Sequence, residues 1–173
     1  NRTDTDRALP RLQTARASLL ELQVAHLLQT ATGMTVDVDV HATNALGDHS
    51  VIDLRIVDLD WYIDIDPARW HAADHARDTR KSSRMRGFKY HRIRQEGLPP
   101  VSGCTHVATS PDPMSWAASL RSEIVEEGVR WTPISSDAQR AALEAATADW
   151  QARMTAPPAV SALTTAQVSQ PSF

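Results

Sequence analysis

The chain has 173 residues, 42% of them hydrophobic and 23% charged, with a net charge of −3. Such a chain makes one ordinary globular domain with a real core. The charge excludes an all-round cationic DNA glove, the lone Cys104 excludes an intrachain disulfide or a multi-cysteine zinc finger, and no apolar run is long enough to span a membrane.

Residues 6–31 carry the longest helical pattern, with Leu9, Leu12, Leu20, Val24, Leu27 and Leu28 at helical spacing and Gly33 as the stop. Residues 35–41 alternate Val and Asp, the mark of a strand with one wet face. A turn over 42–49 follows, with Asn44, Gly47 and Asp48 as turn formers. Strands are predicted over 50–57 and 61–66, joined by a link short enough for an antiparallel hairpin, and Pro67 ends the second. Residues 71–85, rich in Ala, Arg, Lys and Met, predict one helix ending at Gly87. Residues 88–94 form a further strand, and 105–108 a short one. Asp112 before Pro113 starts a helix expected to reach Glu127 and stop at Gly128. Ser136 and Gln139 have capping-box spacing and predict a last helix over 136–154. Beyond Met154 the chain turns to Pro, Ala, Ser, Thr and Gln, a tail with little to bury.

Between Val51 and Val101 the charges segregate. Asp53, Asp58, Asp60, Asp64, Asp66, Asp74 and Asp78 come first; Arg77, Arg80, Lys81, Arg84, Arg86, Lys89, Arg92 and Arg94 follow. Acids on neighbouring strands can hold a hard divalent metal, and a basic stripe can hold a phosphate backbone. Alternation puts Tyr62, Asp64 and Asp66 on one strand face and Ile63 and Ile65 on the other. Asp53 lies between Ile52 and Leu54, an awkward place for an acid unless it is paired or metal-bound. If the hairpin register brings Asp53 beside Asp64, the two charges demand a cation; otherwise the hairpin simply has an acidic solvent face. His71 and His75, four apart on the predicted helix, have a zinc-ligand spacing but lack the partners of a closed site. A neutral His71 just after the acidic strand can accept a proton from water. Arg77, Arg80, Lys81 and Arg84 share one side of that helix; the plainer reading pairs them with Asp74 and Asp78. The five tryptophans read mostly as core or interface anchors, and Cys104 as a small buried apolar residue.

The segments YIDIDPARWH (62–71), RDTRK (77–81) and HRIRQEGLPP (91–100) resemble, in order and spacing, motifs of the PD-(D/E)XK nucleases. Within them the likeness is to the very-short-patch-repair endonuclease branch and its EDxHD homing-endonuclease relatives. There a strand reading like IEYDGxYWH precedes a helix with DxxK and a strand ending RIRxxGLP. The resemblance spans about residues 18–101. It implies a restriction-endonuclease-like α/β core, a central mixed sheet of four to five strands flanked by helices, with extra C-terminal helices. It implies Asp53 as the central metal ligand and Asp64 as the second. Glu21 matches the acid of the first helix; its plainer reading is an exposed glutamate. Asp66 stands where the simplest members carry lysine, so the lysine role falls to Lys81 from the helix or to His71 as general base. The zinc ribbon common in such nucleases has no counterpart here.

These readings predict a Mg²⁺-dependent endodeoxyribonuclease, with Mn²⁺ as an alternative metal. Arg77, Arg80, Arg84, Arg86, Lys89 and Arg92 are the expected DNA contacts. The core is placed at 1–110, the C-terminal helices at 111–154, packed on or extending the core, and a flexible tail at 155–173. A cytoplasmic, non-membrane protein is expected, as a homodimer or with additional domains, since the chain begins at Asn1. The rival readings are a nuclease fold with a degraded catalytic set that binds DNA or a protein partner, and an assembly protein whose tail docks on neighbours.

Overall fold

The computed structural model of the chain describes residues 17–71, 73–101 and 106–156. The elements in chain order are α1 (Leu19–Thr32), β1 (Val36–Thr43), β2 (His49–Ile56), β3 (Trp61–Asp66), α2 (Ala68–His71), α3 (His75–Arg84), β4 (Lys89–Gln95), β5 (His106–Ala108), α4 (Pro113–Ala118), α5 (Arg121–Glu126) and α6 (Ser136–Thr155). The strands form one mixed sheet in the order β1-β2-β3-β4-β5, flanked by helices. The first three strands meander antiparallel; β4 then runs parallel to β3, and β5 parallel to β4. No helix among the described residues is long and apolar enough to cross a membrane. Cys104, the side chain of Trp70 and the chain beyond residue 156 lie outside the described residues.

Alternation along β3 sorts its side chains. Trp61, Ile63 and Ile65 enter the main core with Val24, Leu27 and Leu28 of α1, Leu54 and Ile56 of β2, Ile93 of β4, and Trp116 and Ala117 of α4. Each fully buried aliphatic side chain there contributes about 1.5–3 kcal/mol over leaving it in water. Tyr62, Asp64 and Asp66 take the opposite face. Helix α6 packs along α1, where the small side chains of Ala142 and Ala146 are buried, and Asp149 Oδ2 lies 3.3 Å from His26 Nε2.

Helix α1 begins at Leu19, later than the expected 6–31 span; residues 6–16 are not described. Ser18 and Glu21 set the start through a reciprocal capping box: the Glu21 N–H donates to the Ser18 hydroxyl and the Ser18 N–H to Glu21 Oε2 (2.9 Å). Replacing Ser18 by Ala is expected to cost about 1 kcal/mol. Urea unfolding checks this, and an unchanged midpoint would mean that packing alone fixes the helix start.

The single helix expected over 71–85 is two, α2 and α3. A continuous helix would hold residues 71 and 78 about 10 Å apart along its axis. The break instead brings His71 Nδ1 to 2.9 Å from Asp78 Oδ2. It also puts His71 and His75 on different helices, and His71 converges with Asp66 and Asp78 instead. The helix expected over 112–127 splits into α4 and α5. The Ser119 hydroxyl takes the Trp116 carbonyl at 2.7 Å and the Leu120 N–H turns to Ala117, three residues back. At α6 the cap is Ser135 rather than Ser136, accepting from the Ala138 N–H.

Candidate active site

The β2–β3 ladder stops at Leu54↔Ile63. One step further stand Asp53 and Asp64, and each carboxylate turns to the other strand's backbone. Asp53 Oδ2 accepts from the Ile65 N–H at 2.7 Å, and Asp64 Oδ1 accepts from the Asp53 N–H at 3.2 Å. The acids thus replace the backbone rungs of the ladder where the strands part.

From α3, Lys81 reaches across, its Nζ 2.7 Å from Asp64 Oδ1. The Tyr90 hydroxyl of β4 donates to Asp64 Oδ2. Parallel pairing places Arg92 opposite Asp64 and Arg94 opposite Asp66. The Arg92 guanidinium bonds Asp66 at 3.1 Å and lies 3.4 Å from Asp64 and 3.1 Å from Asp78. Arg94 Nη1 contacts Asp66 at 2.6 Å and Asp78 at 2.9 Å. Glu21 closes the α1 side of a cavity of about 320 Å³, lined also by Asp53, Asp66, His71, Asp78, Lys81 and Arg92.

Among the described residues, five carboxylates, Glu21, Asp53, Asp64, Asp66 and Asp78, therefore meet three cationic side chains, Lys81, Arg92 and Arg94, while Asp74 and Arg77 of the same lining offset each other. The deficit falls on the Asp53–Glu21 side. Burial, then the charges of Asp64 and Glu21, raise the Asp53 carboxyl well above the usual range. Glu21 is raised too, by burial against the opposing pull of its Ser18 hydrogen bonds. Burial raises Asp66 as well. Asp78 goes the other way: burial pushes up, but hydrogen bonds from Arg94 and His71 outweigh it and hold the carboxyl low.

His71 Nδ1 lies 2.9 Å from Asp78 Oδ2 and 3.5 Å from Asp66 Oδ1. With carboxylates at Nδ1, that nitrogen carries a hydrogen, and in the neutral ring the lone pair sits on Nε2. Asp66, His71 and Asp78 converge closely enough to hold a metal ion. Arg92 and Arg94 already neutralise both of those carboxylates, so a cation there competes with two guanidiniums. Among the described residues no guanidinium is paired with Asp53 or Glu21, where Lys81 alone supplies a nearby positive charge to Asp53.

The hairpin is thus not an acidic solvent face: Asp64 and Asp66 are each only 1% exposed. Glu21 is not the exposed helix glutamate of the plainer reading, for it caps α1 and lines the cavity. Arg92 is corrected. Expected to contact DNA, it is 1% exposed and spent on internal carboxylates, because its strand position faces Asp64. Arg77, Arg80, Arg84, Arg86 and Lys89 are exposed, and Arg77 lies 3.7 Å from Asp74 at the cavity rim. Asp78 does not pair with the surface arginines; it points inward. Tyr90 and Arg94 join the site beyond the residues expected from the sequence, and the alternation Tyr90-Arg92-Arg94 on the same period as Tyr62-Asp64-Asp66 is the sequence signal for them.

Comparison of the chain with protein-family models, curated proteins and solved structures finds no match.

Proposed function

We propose that this protein is a divalent-metal-dependent endonuclease, with Mg²⁺ as the metal and a DNA backbone as the substrate, on a restriction-endonuclease-like core. The observation that carries the reading is the surplus, among the described residues, of two carboxylates over cations around one cavity, concentrated at Asp53 and Glu21. Two uncompensated negative charges among oxygen donors match one hard divalent ion. Asp53 and Asp64 would hold the metal, with Glu21 at the corner. Bound there, Mg²⁺ supplies Lewis-acid polarisation of a phosphate oxygen and a more acidic water.

The chain's own groups fill the remaining roles. His71, with Nδ1 on Asp78, offers Nε2 as the acceptor for a proton from water. Lys81 brings positive charge to the developing phosphorane oxygens from α3. Arg77, Arg80 and Arg84, exposed on the same helix, hold flanking phosphates, and Arg86 and Lys89 extend the stripe. Cleavage of plasmid and linear DNA with Mg²⁺, against EDTA, tests the reading. Absence of cutting with Mg²⁺ or Mn²⁺ on DNA and on RNA would overturn it.

One observation favours the rival, a binding module with a degraded catalytic set. Lys81 and Tyr90 already engage both oxygens of Asp64, which must be loosened before that carboxylate can ligate. Kinetics of two variants separate the readings. In the enzyme, Lys81→Ala lowers turnover by about 10²-fold with little change in DNA affinity. Arg84→Ala weakens binding and reduces the salt slope by about one. Equal, binding-only losses in both would favour the binding module.

A further inference from the structure

On the other face of the sheet, three side chains far apart in sequence meet: His91 of β4, His106 of β5 and Glu123 of α5. The separations are 3.1 Å from His91 Nδ1 to His106 Nε2, 3.4 Å from His91 Nδ1 to Glu123 Oε2, and 3.3 Å from His106 Nε2 to Glu123 Oε2. Zinc bonds of 2.0–2.2 Å in a tetrahedron put ligand atoms about 3.3 Å apart. The triangle therefore has the dimensions of one face of a tetrahedral zinc site.

We propose that His91, His106 and Glu123 bind Zn²⁺, with water completing the tetrahedron. Proton accounting supports this. His106 Nδ1 lies 3.3 Å from the Ser119 carbonyl, an acceptor only, so Nδ1 carries the hydrogen and Nε2 the lone pair. A ligating histidine is oriented by such a bond at its other nitrogen. When both rings are neutral and Glu123 is ionised, three acceptor atoms face one point with one proton at most, on His91, to share among them. A cation at that point satisfies all three.

Two imidazoles and one carboxylate suit Zn²⁺ better than Mg²⁺, which prefers oxygen. The His91 ring lies against Trp61, with centroids 4.1 Å apart, while the Glu123 side chain is 37% exposed and leaves room for the water. Among the described residues no guanidinium pairs with Glu123, unlike at Asp66 and Asp78. The site would add a further tie between the three-residue edge strand β5, the six-residue α5 and β4, which already meet through the β4–β5 ladder and the buried Ala108 and Ile124. It does not depend on the nuclease reading, because it lies across the sheet from the acidic cavity.

The test is Zn²⁺ binding to chelator-stripped full chain in excess Mg²⁺, read by calorimetry and elemental analysis. The expected result is one equivalent per chain, retained in His71→Ala and weakened at least about tenfold in Glu123→Gln. Co²⁺ in place of Zn²⁺ should give visible d–d bands of tetrahedral intensity, which do not depend on a variant folding. No stoichiometric Zn²⁺ binding, or loss of it in His71→Ala with retention in Glu123→Gln, would overturn the assignment. The latter would move the ion to the Asp66–His71–Asp78 group.

Discussion

Asp53→Asn is expected to lower Mg²⁺-dependent cleavage by at least about 10²-fold while DNA binding stays intact or tightens slightly. The amide oxygen can still accept from the Ile65 N–H, so the backbone geometry survives. What disappears is the negative charge that burial, Asp64 and Glu21 make so costly without a cation. Stability should follow in a pH-dependent way. Because the folded carboxyl is raised, its contribution is fully present below the ordinary carboxylate range, about pH 4, and is lost as pH rises through the raised value. The metal-free wild type should therefore lose stability on going from acid to neutral pH. Glu21 and Asp66, both raised by burial, act in the same direction. Asp78 acts in the opposite sense: held low by Arg94 and His71 against its burial, it stabilises above the ordinary range and loses this on acidification. Asp53→Asn should flatten the Asp53 share of the slope. Saturating Mg²⁺ should restore wild-type stability at neutral pH, by about 2.7 kcal/mol at a hundred times its Kd, and do much less for the variant. Thermal melts across pH, with and without Mg²⁺, measure all of this. Normal cleavage by the variant would put the chemistry elsewhere.

Arg92→Ala should produce the largest loss of stability, about 3–5 kcal/mol, because it strips a buried cation from Asp64, Asp66 and Asp78 at once. Lysine is no substitute, since a point charge cannot span three carboxylates as the planar guanidinium does. Arg84→Ala, at an exposed position, should change stability by no more than about 0.5 kcal/mol. Urea unfolding of both variants is the measurement. A loss under about 1 kcal/mol for Arg92→Ala would mean that the carboxylates take up protons or re-pair with Arg94 at little cost.

The strands and their faces were legible because a period of two is written directly in Tyr62-Ile63-Asp64-Ile65-Asp66 and in the setting of Asp53 among aliphatics. The cavity side of the site followed from that alternation, with Lys81 arriving from α3. Arg92 was not legible from charge, which points arginine outward. Only its place two residues from Tyr90 and Arg94, on a strand parallel to the acidic one, reveals the burial. The break between α2 and α3 was hidden because Ala, Arg and Lys favour a helix throughout 71–85; tertiary pairing of His71 with Asp78 accompanies the break. Glu21 could have been placed from its Ser18 capping box, a local signal. The histidine–glutamate triangle could not, for it needs the β4–β5 register and the turn of α4 into α5.

Neighbouring residues of β4 serve opposite sides of the sheet. His91 pairs in register with Ile63 and faces the zinc triangle, while Arg92 pairs with Asp64 and faces the acids. Side chains alternate strictly, so inserting or deleting one residue ahead of His91 would swing the imidazole among the carboxylates and the guanidinium among the imidazoles. Neither centre can be lengthened or shortened along this strand without dismantling the other. A change of length in β4 would therefore disturb both proposed sites at once, whereas a substitution can act on one of them.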